Sequence, residues 1–367
     1  MESEAAMLRF EKTRIGNVTS EAASVFDVNH DGVLDIVSGE HWFEGPDFRK
    51  KHKIRPIQQV EDYYDDFCDY PMDVNGDGYL DIITGGWWGE TLRWIENPHG
   101  QHCEWAVHDI DRPGSIETIR FWDVDGDGHV EIVPNTPGVP QAIYKLQRDE
   151  QGRGREAFDK FVINDFPSGH GLGFGDIDGD GRGEIILSTG WLKAPEETFQ
   201  ARWSWHPEFD LGCASVPILV HDVNGDGLAD LIVGQAHNYG LAWYEQRIDS
   251  KGERSWIKHD IDPYRSQYHD LQLADIDNDG ELELITGQRY RAHCGRDPGE
   301  LDPIGLYYFK INKGRFERFT VDYGDPEVSS GAGIYFWVTD LDGNGWKDIV
   351  APGKEGLYLF RNLGKAI

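Results

Sequence analysis

The stretch Asp27-Val-Asn29-His-Asp31-Gly-Val-Leu-Asp35 decides the fold, because its pattern D-x-[DN]-x-[DN]-G-x-x-[DE] occurs seven times in the chain. Successive first aspartates are 46 to 65 residues apart. A period near 50 residues is typical of propellers and solenoids. We number the copies loops 1 to 7 in chain order; after loop 1 they begin at Asp73, Asp123, Asp176, Asp222, Asp275 and Asp340.

Each loop carries oxygen ligands at positions 1, 3, 5 and 9, a spacing that wraps a short segment around a hard cation such as Ca²⁺. The glycine at position 6 allows the sharp turn. The pattern therefore predicts up to seven structural calcium ions. The predicted ligands are Asp27, Asn29, Asp31, Asp35, Asp73, Asn75, Asp77, Asp81, Asp123, Asp125, Asp127, Glu131, Asp176, Asp178, Asp180, Glu184, Asp222, Asn224, Asp226, Asp230, Asp275, Asp277, Asp279, Glu283, Asp340, Asp342, Asn344 and Asp348.

An EF-hand is the obvious alternative for such loops, but the sequence disagrees with it. An EF-hand requires a bidentate Glu at position 12, and none of the seven copies has one. Short β-branched runs such as Ile82-Ile83 and Ile185-Ile186 follow the loops, and these runs predict strands. The loops therefore connect strands.

Each repeat can be laid out as four antiparallel strands, which make one propeller blade. We therefore predict an all-β fold, a seven-bladed β-propeller that forms one domain over residues 1–367. The seventh repeat ends after its third strand, and the segment 7–15 resembles the fourth strand at 315–321. We expect segment 7–15 to complete the last blade and close the ring, which removes an exposed edge.

The composition limits the classes of partner. A net charge of −31 argues against nucleic acid or an anionic membrane as a partner. No apolar run approaches 18 residues, so membrane insertion is not expected. The chain as written favours a cytoplasmic location, or a periplasmic or secreted one if a signal peptide has been removed. The oligomeric state stays open.

All seven loops join the first strand of a blade to the second, so the opposite face gathers the other connections around the central channel. The position six residues before each first Asp marks the mouth of the innermost strand, and four of the seven residues there are titratable. We expect a ligand site at this face; the alternative is a channel that merely holds water. The seven residues are Glu21, Phe67, Glu117, His170, Val216, His269 and Ile334.

The connections between second and third strands add aromatic and charged side chains of the kinds that bind sugars. Aromatic rings stack on the apolar face of a pyranose, while charged groups bond to its hydroxyls. The alternative for Trp42 and Trp88 is packing between blades. The predicted substrate-binding residues are Trp42, Trp88, Lys193, Tyr239, Asp270 and Arg291.

The last connection, residues 289–304, is longer than its counterparts. Long insertions in compact repeats are usually functional or disordered. This one has two Pro, two Gly and alternating charges. We therefore predict an ordered lid over the channel mouth.

Five histidines fall on the same face: His41, His170, His237, His269 and His293. Imidazole and carboxylate together suit zinc and related metals. The candidate ligands of one such metal are His41, Glu117, His237 and His293. His170 and His269 occupy one register two blades apart, a distance that a monosaccharide could bridge, and are the candidate general bases.

The seven loops and the strands that follow them resemble the FG-GAP/VCBS calcium-binding propeller repeats. That resemblance covers nearly the whole chain and implies the fold. It implies little about activity, because such blades occur in adhesion receptors, lectins and polysaccharide lyases.

A narrower resemblance rests on segments 38–46, 220–224, 234–240 and 287–299. They are similar to the propeller domain of the aldos-2-ulose dehydratase family and its bacterial relatives. The resemblance implies elimination of water from a keto-sugar such as anhydrofructose, with a divalent metal in the propeller site.

The sequence therefore favours a lyase that performs metal-assisted β-elimination on a keto-sugar or keto-glycoside. Arg289 and Tyr290 are candidates for contacts to the enolate or hydroxyl oxygens. Expected cofactors are structural calcium and at most one zinc or other divalent metal; the expected partner is a small sugar or oligosaccharide. A non-catalytic propeller that binds carbohydrate or protein is the alternative, and a polysaccharide lyase is the third. Motifs for acyl transfer, nucleotide hydrolysis and hydride transfer are absent from the sequence.

Overall fold

The computed structural model describes residues 7–365, and within that range the regular structure consists of strands without a helix. The strands are β1 (Leu8–Gly16), β2 (Ser24–Phe26), β3 (Asp35–Ser38), β4 (His41–Glu44), β5 (Lys50–Lys53), β6 (Gln59–Val60), β7 (Tyr63–Tyr64), β8 (Tyr70–Met72), β9 (Asp81–Gly85), β10 (Leu92–Glu96), β11 (Ala106–Asp111), β12 (Thr118–Trp122), β13 (Glu131–Asn135), β14 (Ala142–Arg148), β15 (Gly154–Val162), β16 (Leu172–Gly175), β17 (Glu184–Leu187), β18 (Gly190–Lys193), β19 (Ser204–His206), β20 (Leu219–His221), β21 (Asp230–Gly234), β22 (Tyr239–Ile248), β23 (Arg254–Ser266), β24 (Tyr268–Ala274), β25 (Glu283–Gln288), β26 (Ile304–Asn312), β27 (Arg315–Gly324), β28 (Trp337–Thr339), β29 (Asp348–Ala351) and β30 (Leu357–Lys365).

These strands form seven antiparallel four-stranded sheets, which are the blades of a seven-bladed β-propeller. The blades, numbered like their loops, are β2–β5, β8–β11, β12–β15, β16–β19, β20–β23, β24–β27 and the set β28, β29, β30, β1. A separate two-stranded hairpin, β6–β7, lies between blades 1 and 2 in the chain. The prediction of an all-β, seven-bladed propeller is confirmed.

The second strand of each blade is buried along its length, as in β3, β9 and β21. This explains the short, continuous apolar runs after each loop. Neighbouring blades approach closely: a Cβ on Gly234 in blade 5 would lie 2.2 Å from the carbonyl oxygen of Tyr268 in blade 6. Glycine is therefore required where the two backbones meet.

Blades 7 and 1 also touch, because the backbone N–H of Ala23 donates to the carbonyl oxygen of Tyr335 at 2.9 Å. In blade 7, β1 pairs antiparallel with β30, with Phe10 opposite Asn362. Leu8 is buried in the apolar cluster of blades 6 and 7. The outer strand of this blade therefore comes from the opposite end of the chain.

The seven acidic loops lie at the C-terminal ends of the innermost strands, and the predicted ligand face lies at their N-terminal ends. In loop 1, Asp27 accepts backbone N–H groups from Asp31 at 3.2 Å and Gly32 at 2.9 Å. Gly32 has φ +85°, which favours glycine there. Among the described residues no helix is long and apolar enough to cross a membrane.

Candidate metal centre

Four side chains from four consecutive blades meet at the mouth of the central channel. Glu117 directly precedes β12, His170 lies two residues before β16, His237 lies between β21 and β22, and His269 lies in β24. One potential ligand atom from each lies within 4.8 Å of the others. We call these four residues the central cluster.

Glu117 is the hub of the central cluster. Its Oε1 atom lies 3.0 Å from Nε2 of His269, 3.5 Å from Nε2 of His170 and 4.0 Å from Nε2 of His237. Innermost strands of adjacent blades converge on the axis, so residues separated by up to 152 positions in the chain come into contact. Three imidazoles therefore point a ring nitrogen towards one carboxylate.

The tautomers of two of these histidines follow from their partners. Nδ1 of His170 lies 2.7 Å from the carbonyl oxygen of Ala214, and Nδ1 of His237 lies 2.8 Å from a carboxylate oxygen of Asp297. Both partners only accept hydrogen bonds, so both Nδ1 atoms carry the proton. In the neutral forms of these two rings, the Nε2 atoms of His170 and His237 therefore present lone pairs to each other at 3.1 Å.

Burial sets the charges of the central cluster. Desolvation lowers the pKa of His237 to about 4 and lowers that of His269 well below its usual value. For Glu117, desolvation acts to raise the pKa, but the close contacts with His170 and His269 outweigh it and hold the pKa well below the usual value. At neutral pH, neutral His237 and His269 thus face an ionised carboxylate, which is the protonation state that metal ligands need.

The residues present fit a transition metal. Three imidazole nitrogens and one carboxylate oxygen form a donor set that suits zinc and related divalent ions. Two lone pairs that face each other at 3.1 Å repel unless a cation or a proton lies between them. The buried Nδ1 atom of His269 has no hydrogen-bond partner among the described residues.

A buried basic group borders the central cluster. Arg289 forms a bidentate ion pair with Glu21 at 2.7 and 3.1 Å. Its Nη1 atom lies 3.7 Å from Oε1 of Glu117 and makes no hydrogen bond within the described part of the chain. Nζ of Lys354 lies 3.5 Å from the ring centre of Tyr63 and 3.7 Å from Oε2 of Glu21. Arg289 is therefore held rigidly with one donor free.

The insertion 289–304 lies against the central cluster. Asp297 accepts from His237 with one oxygen and from Nδ1 of His293 with the other, at 2.8 and 2.9 Å. The rings of His237 and His293 stack 4.3 Å apart. Glu300, which is buried, accepts the backbone N–H of His293 at 2.9 Å. The insertion thus orients one member of the central cluster.

Two ion pairs connect the same insertion to the β6–β7 hairpin. Arg291 lies 2.7 Å from Asp62, and Arg296 lies 2.8 Å from Glu61. A cavity of about 380 Å³ lies between the hairpin, the insertion and Glu117. This volume is within the range of small-molecule sites. The lining residues are Val60, Glu61, Tyr63, Phe67, Trp87, Trp88, Glu117, Arg289, His293 and Arg296.

Several predicted site residues come together here. Glu117, His170, His237 and His269 form the central cluster, with Arg289 beside it and His293 in contact with His237. Trp88 lines the cavity and is 39% exposed, so its ring is available to a ligand. The register that placed Glu117, His170 and His269 at the channel mouth also places Glu21 and Phe67 there.

Other predicted site residues lie elsewhere. His41 lines a separate groove of about 990 Å³ with Phe43 and Lys51, because it begins the third strand of blade 1 and not the innermost one. Trp42 is buried and stacks on His52 at 4.2 Å, so it packs within the fold. Lys193 ends β18 and bonds to Asp180 at 2.8 Å, on the face of the acidic loops. His41 as a cluster ligand, and Trp42 and Lys193 as sugar contacts, are corrected accordingly.

The remaining candidates surround the site without entering it. Asp270 is buried, and its two carboxylate oxygens accept hydrogen bonds from Arg120 at 2.8 Å and from the backbone N–H of Phe336 at 3.0 Å. The hydroxyl of Tyr239 donates to Asp302 at 2.7 Å. Arg291 pairs with Asp62 on the hairpin, and Tyr290 is half-buried beside it.

The expectation that a monosaccharide bridges His170 and His269 is wrong. Their ring centres lie 5.2 Å apart at 87°, and both face Glu117. The two side chains point inwards to the same axis, so they fill the space between their backbones. No sugar ring fits between them, although one cation does.

The sequence analysis missed three residues of this site. Asp297 was read only as part of the insertion, Tyr63 belongs to a hairpin outside the repeat, and Glu21 was noted for its register but given no role. A signal for Asp297 was available, since a carboxylate near two histidines often orients a metal ligand.

Comparisons with known proteins identify the repeats. A model of the FG-GAP-like repeat matches residues 73–133 and 222–286, which span loops 2 to 3 and loops 5 to 6. No curated protein matches the chain. Among solved structures, the V. cholerae biofilm matrix protein Bap1 is similar, at 16% identity and a TM-score of 0.32, over 91% of this chain and 45% of that one. The chain thus spans less than half the length of that protein. The chain carries FG-GAP-like repeats in a seven-bladed β-propeller.

Proposed function

We propose that the chain is a carbon–oxygen lyase that eliminates water or an alkoxy group from a keto-sugar, with a divalent metal held by the central cluster. The observation that carries the proposal is the 3.1 Å approach of two Nε2 lone pairs, those of His170 and His237, beside the Glu117 carboxylate. That arrangement suits a bound cation better than an empty channel. When bound, such a metal would polarise the carbonyl oxygen of the sugar.

The surroundings of the central cluster support a metal role for His237. Metal-bound histidines usually donate their second N–H to a carboxylate or carbonyl, and this fixes the ring. Asp297 does so for His237, and the carbonyl of Ala214 does so for His170. His269 belongs to the same cluster, with its Nε2 atom 3.0 Å from Glu117. We therefore assign both His170 and His269 to metal binding in place of the general-base role expected for them.

His293 is the best candidate for the general base. Its Nδ1–H donates to Asp297, so its Nε2 atom carries the lone pair. The side chain is 46% exposed and lines the cavity. In the elimination, this nitrogen takes the proton from the carbon next to the carbonyl, the C–H electrons form the double bond, and the departing oxygen leaves with a proton as water or an alcohol.

The rest of the cavity suits a sugar. Tyr63, Phe67, Trp87 and Trp88 supply aromatic surface on one side. Nη1 of Arg289, whose guanidinium lies 5.7 Å from the ring centre of Tyr63, supplies a donor for the negative charge that develops on the substrate oxygen. Burial raises the pKa of the Tyr63 hydroxyl, which therefore stays protonated and can donate to a leaving oxygen.

The test is an elimination assay. Anhydrofructose and a 3-keto-glycoside are supplied to protein loaded with Zn²⁺, Mn²⁺, Co²⁺ or Mg²⁺, and the ultraviolet absorbance of an α,β-unsaturated ketone is followed. We expect the chromophore with at least one metal and its loss after chelation. Protein that binds these sugars but never forms the chromophore contradicts the lyase proposal.

That outcome would favour the second candidate, a non-catalytic carbohydrate-binding propeller, which the aromatic wall of the cavity also suits. A polysaccharide lyase is less well supported. Its anionic substrates need a basic groove, whereas Arg291 and Arg296 at the rim are paired with Asp62 and Glu61.

We further propose that calcium binds the acidic loops and that β1 holds the ring closed. The loop spacing supports the first proposal. The pairing of β1 with β30 and the burial of Leu8 support the second.

A further inference from the structure

The seven acidic loops fall into two chemical classes. Loops 1, 2, 5 and 7 have Asp at position 9 and an Asn at position 3 or 5. Loops 3, 4 and 6 have Glu at position 9 and Asp at positions 1, 3 and 5, which gives them one more carboxylate each. The position 9 residues of this second class are Glu131, Glu184 and Glu283.

A lysine accompanies each of these glutamates across the sheet. Glu283 pairs directly with Lys310 in the register of β25 and β26. In blade 3, Ile132 pairs with Tyr144, which sets Glu131 opposite Lys145. In blade 4, Ile185 pairs with Leu192, which sets Glu184 opposite Lys193.

The lysine ammonium groups enter the loops. Nζ of Lys145 lies 2.7 Å from Asp127 and 3.1 Å from Oε1 of Glu131, and it also contacts Asp125. These oxygens belong to three of the four ligand positions of loop 3. The ammonium therefore lies among the carboxylates that a cation would use.

The same contact recurs in the two other loops. Lys193 contacts Asp178 and lies 2.8 Å from Asp180. Lys310 contacts Asp277 and lies 2.9 Å from Asp279. For all three lysines burial acts to lower the pKa, but the bonds to loop carboxylates outweigh it and raise the pKa.

The four other blades lack this arrangement. The residue opposite position 9 is Glu44, Glu96 or Glu245 in blades 1, 2 and 5, and Arg361 in blade 7. Those glutamates pair with strand histidines, at 2.8 to 3.0 Å, and Arg361 donates to the carbonyl of Pro46. Among the described residues, a lysine ammonium contacts the ligand carboxylates at 4.0 Å or less only in the loops with the additional carboxylate; Lys347 of loop 7 donates to the carbonyl oxygen of Asp275.

We propose that Lys145, Lys193 and Lys310 act as built-in cations that close loops 3, 4 and 6 to calcium, so that at most four of the seven loops take the ion. One ammonium offsets one of the four carboxylates and occupies the space of the ion. This inference is independent of the chemistry proposed for the central cluster, and it reduces the expected number of structural calcium ions from seven to four.

The proposal predicts a gain of sites when the lysines are removed. Glu184 is buried, and its Oε1 atom has no hydrogen-bond partner in residues 7–365. Oxygens of Asp176, Asp178 and Glu184 lie within 4.8 Å of one another. Lys193→Met would remove the ammonium from this set and leave only Arg182, which pairs with Asp180 at 2.9 Å, as a counter-charge in the loop. A divalent ion that prefers oxygen ligands would then replace the ammonium.

The experiment measures bound calcium per chain by equilibrium dialysis and elemental analysis. It compares the full chain with Lys145→Met, Lys193→Met, Lys310→Met and the triple variant. We expect one additional calcium for each single variant and three for the triple variant. Wild-type protein that binds seven ions, or variants that gain none, would overturn the proposal.

Thermal melting keeps the proposal testable if a variant folds poorly. Each single variant should melt below the wild type in EDTA and regain the difference when Ca²⁺ is added. Lys258→Met is the matched control, because Lys258 pairs at 3.1 Å with Asp260 on an outer strand, away from the loops. A lysine variant whose melting temperature responds to Ca²⁺ no more than that of the control contradicts the proposal.

Discussion

Asp297 accepts a hydrogen bond from Nδ1 of His237 at 2.8 Å, although 60 residues separate the two in the chain. The contact joins the insertion to the central cluster. It fixes the tautomer of His237 and turns its Nε2 lone pair towards Glu117 and His170.

Replacing Asp297 with Asn should weaken metal binding by about 10–100-fold, the usual effect of losing a carboxylate that orients a metal-bound histidine. The measurement is a competition titration with a chromogenic zinc chelator. Asp302→Asn is the control, because Asp302 bonds to Tyr239 outside the central cluster. Unchanged zinc affinity in Asp297→Asn would remove the metal role from His237.

Replacing His293 with Ala should lower kcat by about 10²–10⁴-fold without removing the metal, because a general base contributes about that factor. His170→Ala and His269→Ala should lose metal and activity together. Turnover and metal content are measured on the same samples. If His170→Ala or His269→Ala kept its metal but lost turnover, the base would be that residue instead.

Metal-free protein should lose stability as pH rises from 6.5 to 8. Burial raises the pKa of several carboxyl groups in the folded protein, whereas unfolded carboxyl groups titrate near 4. The folded state therefore holds more protons than the unfolded state until the pH passes the raised pKa, and the free energy of unfolding falls through that window. The groups raised to about 7 are Asp81, Glu131, Glu184, Glu283 and Glu355.

Two buried histidines act in the opposite sense at the lower end of this window. Burial lowers the pKa of His237 and His269, so they are neutral in the folded state, whereas unfolded histidines titrate near 6.5 and become largely neutral only above about pH 7.5. The carboxyl effect is therefore read most clearly between pH 7 and 8. Melting curves in EDTA should shift to lower temperature from pH 6.5 to 8. Added Ca²⁺ should reduce only the part of the shift that comes from loops open to the ion, such as loop 2 with Asp81, because lysines close loops 3, 4 and 6. A melting temperature that rises with pH in EDTA would show that these carboxyl groups are ionised in the folded state.

Removing residues 1–15 should destabilise the protein and promote aggregation. Blade 7 would lose β1, expose the hydrogen-bonding edge of β30 and uncover the cluster that buries Leu8. Removing residues 1–6 alone keeps β1 and serves as the control. A truncation of 1–15 that stays monomeric, with an unchanged melting temperature, would show that β1 is not needed to hold the ring.

The repeat pattern was sufficient to predict the blades, because each loop fixes where the first strand ends and the second begins. Counting back from Asp123, Asp176 and Asp275 also located Glu117, His170 and His269, because in these three blades the same number of residues leads from the channel mouth to the acidic loop. Register along a strand is a local property, so it can be read from one sequence.

The ends of the third strands could not be read in this way. Lys193 was expected in the connection before the third strand of its blade, but it is the last residue of β18 and lies beside loop 4.

Contacts between blades could not be read from the sequence either. The ion pair of Arg289 with Glu21 joins residues 268 positions apart. The spacing of Arg289 and Glu21 in the chain gives no sign that these two residues form an ion pair.

Different blades supply the central cluster and the aromatic residues of the cavity. Blades 3 to 6 supply the four residues of the central cluster, whereas the segment around blade 2 supplies Tyr63, Phe67, Trp87 and Trp88. For the proposed lyase, substrate preference can therefore change through the hairpin and its aromatic neighbours while the proposed metal ligands stay constant. Related chains that share the three histidines and Glu117 would then differ in the sugar they accept chiefly through one short stretch of sequence, residues 58–90.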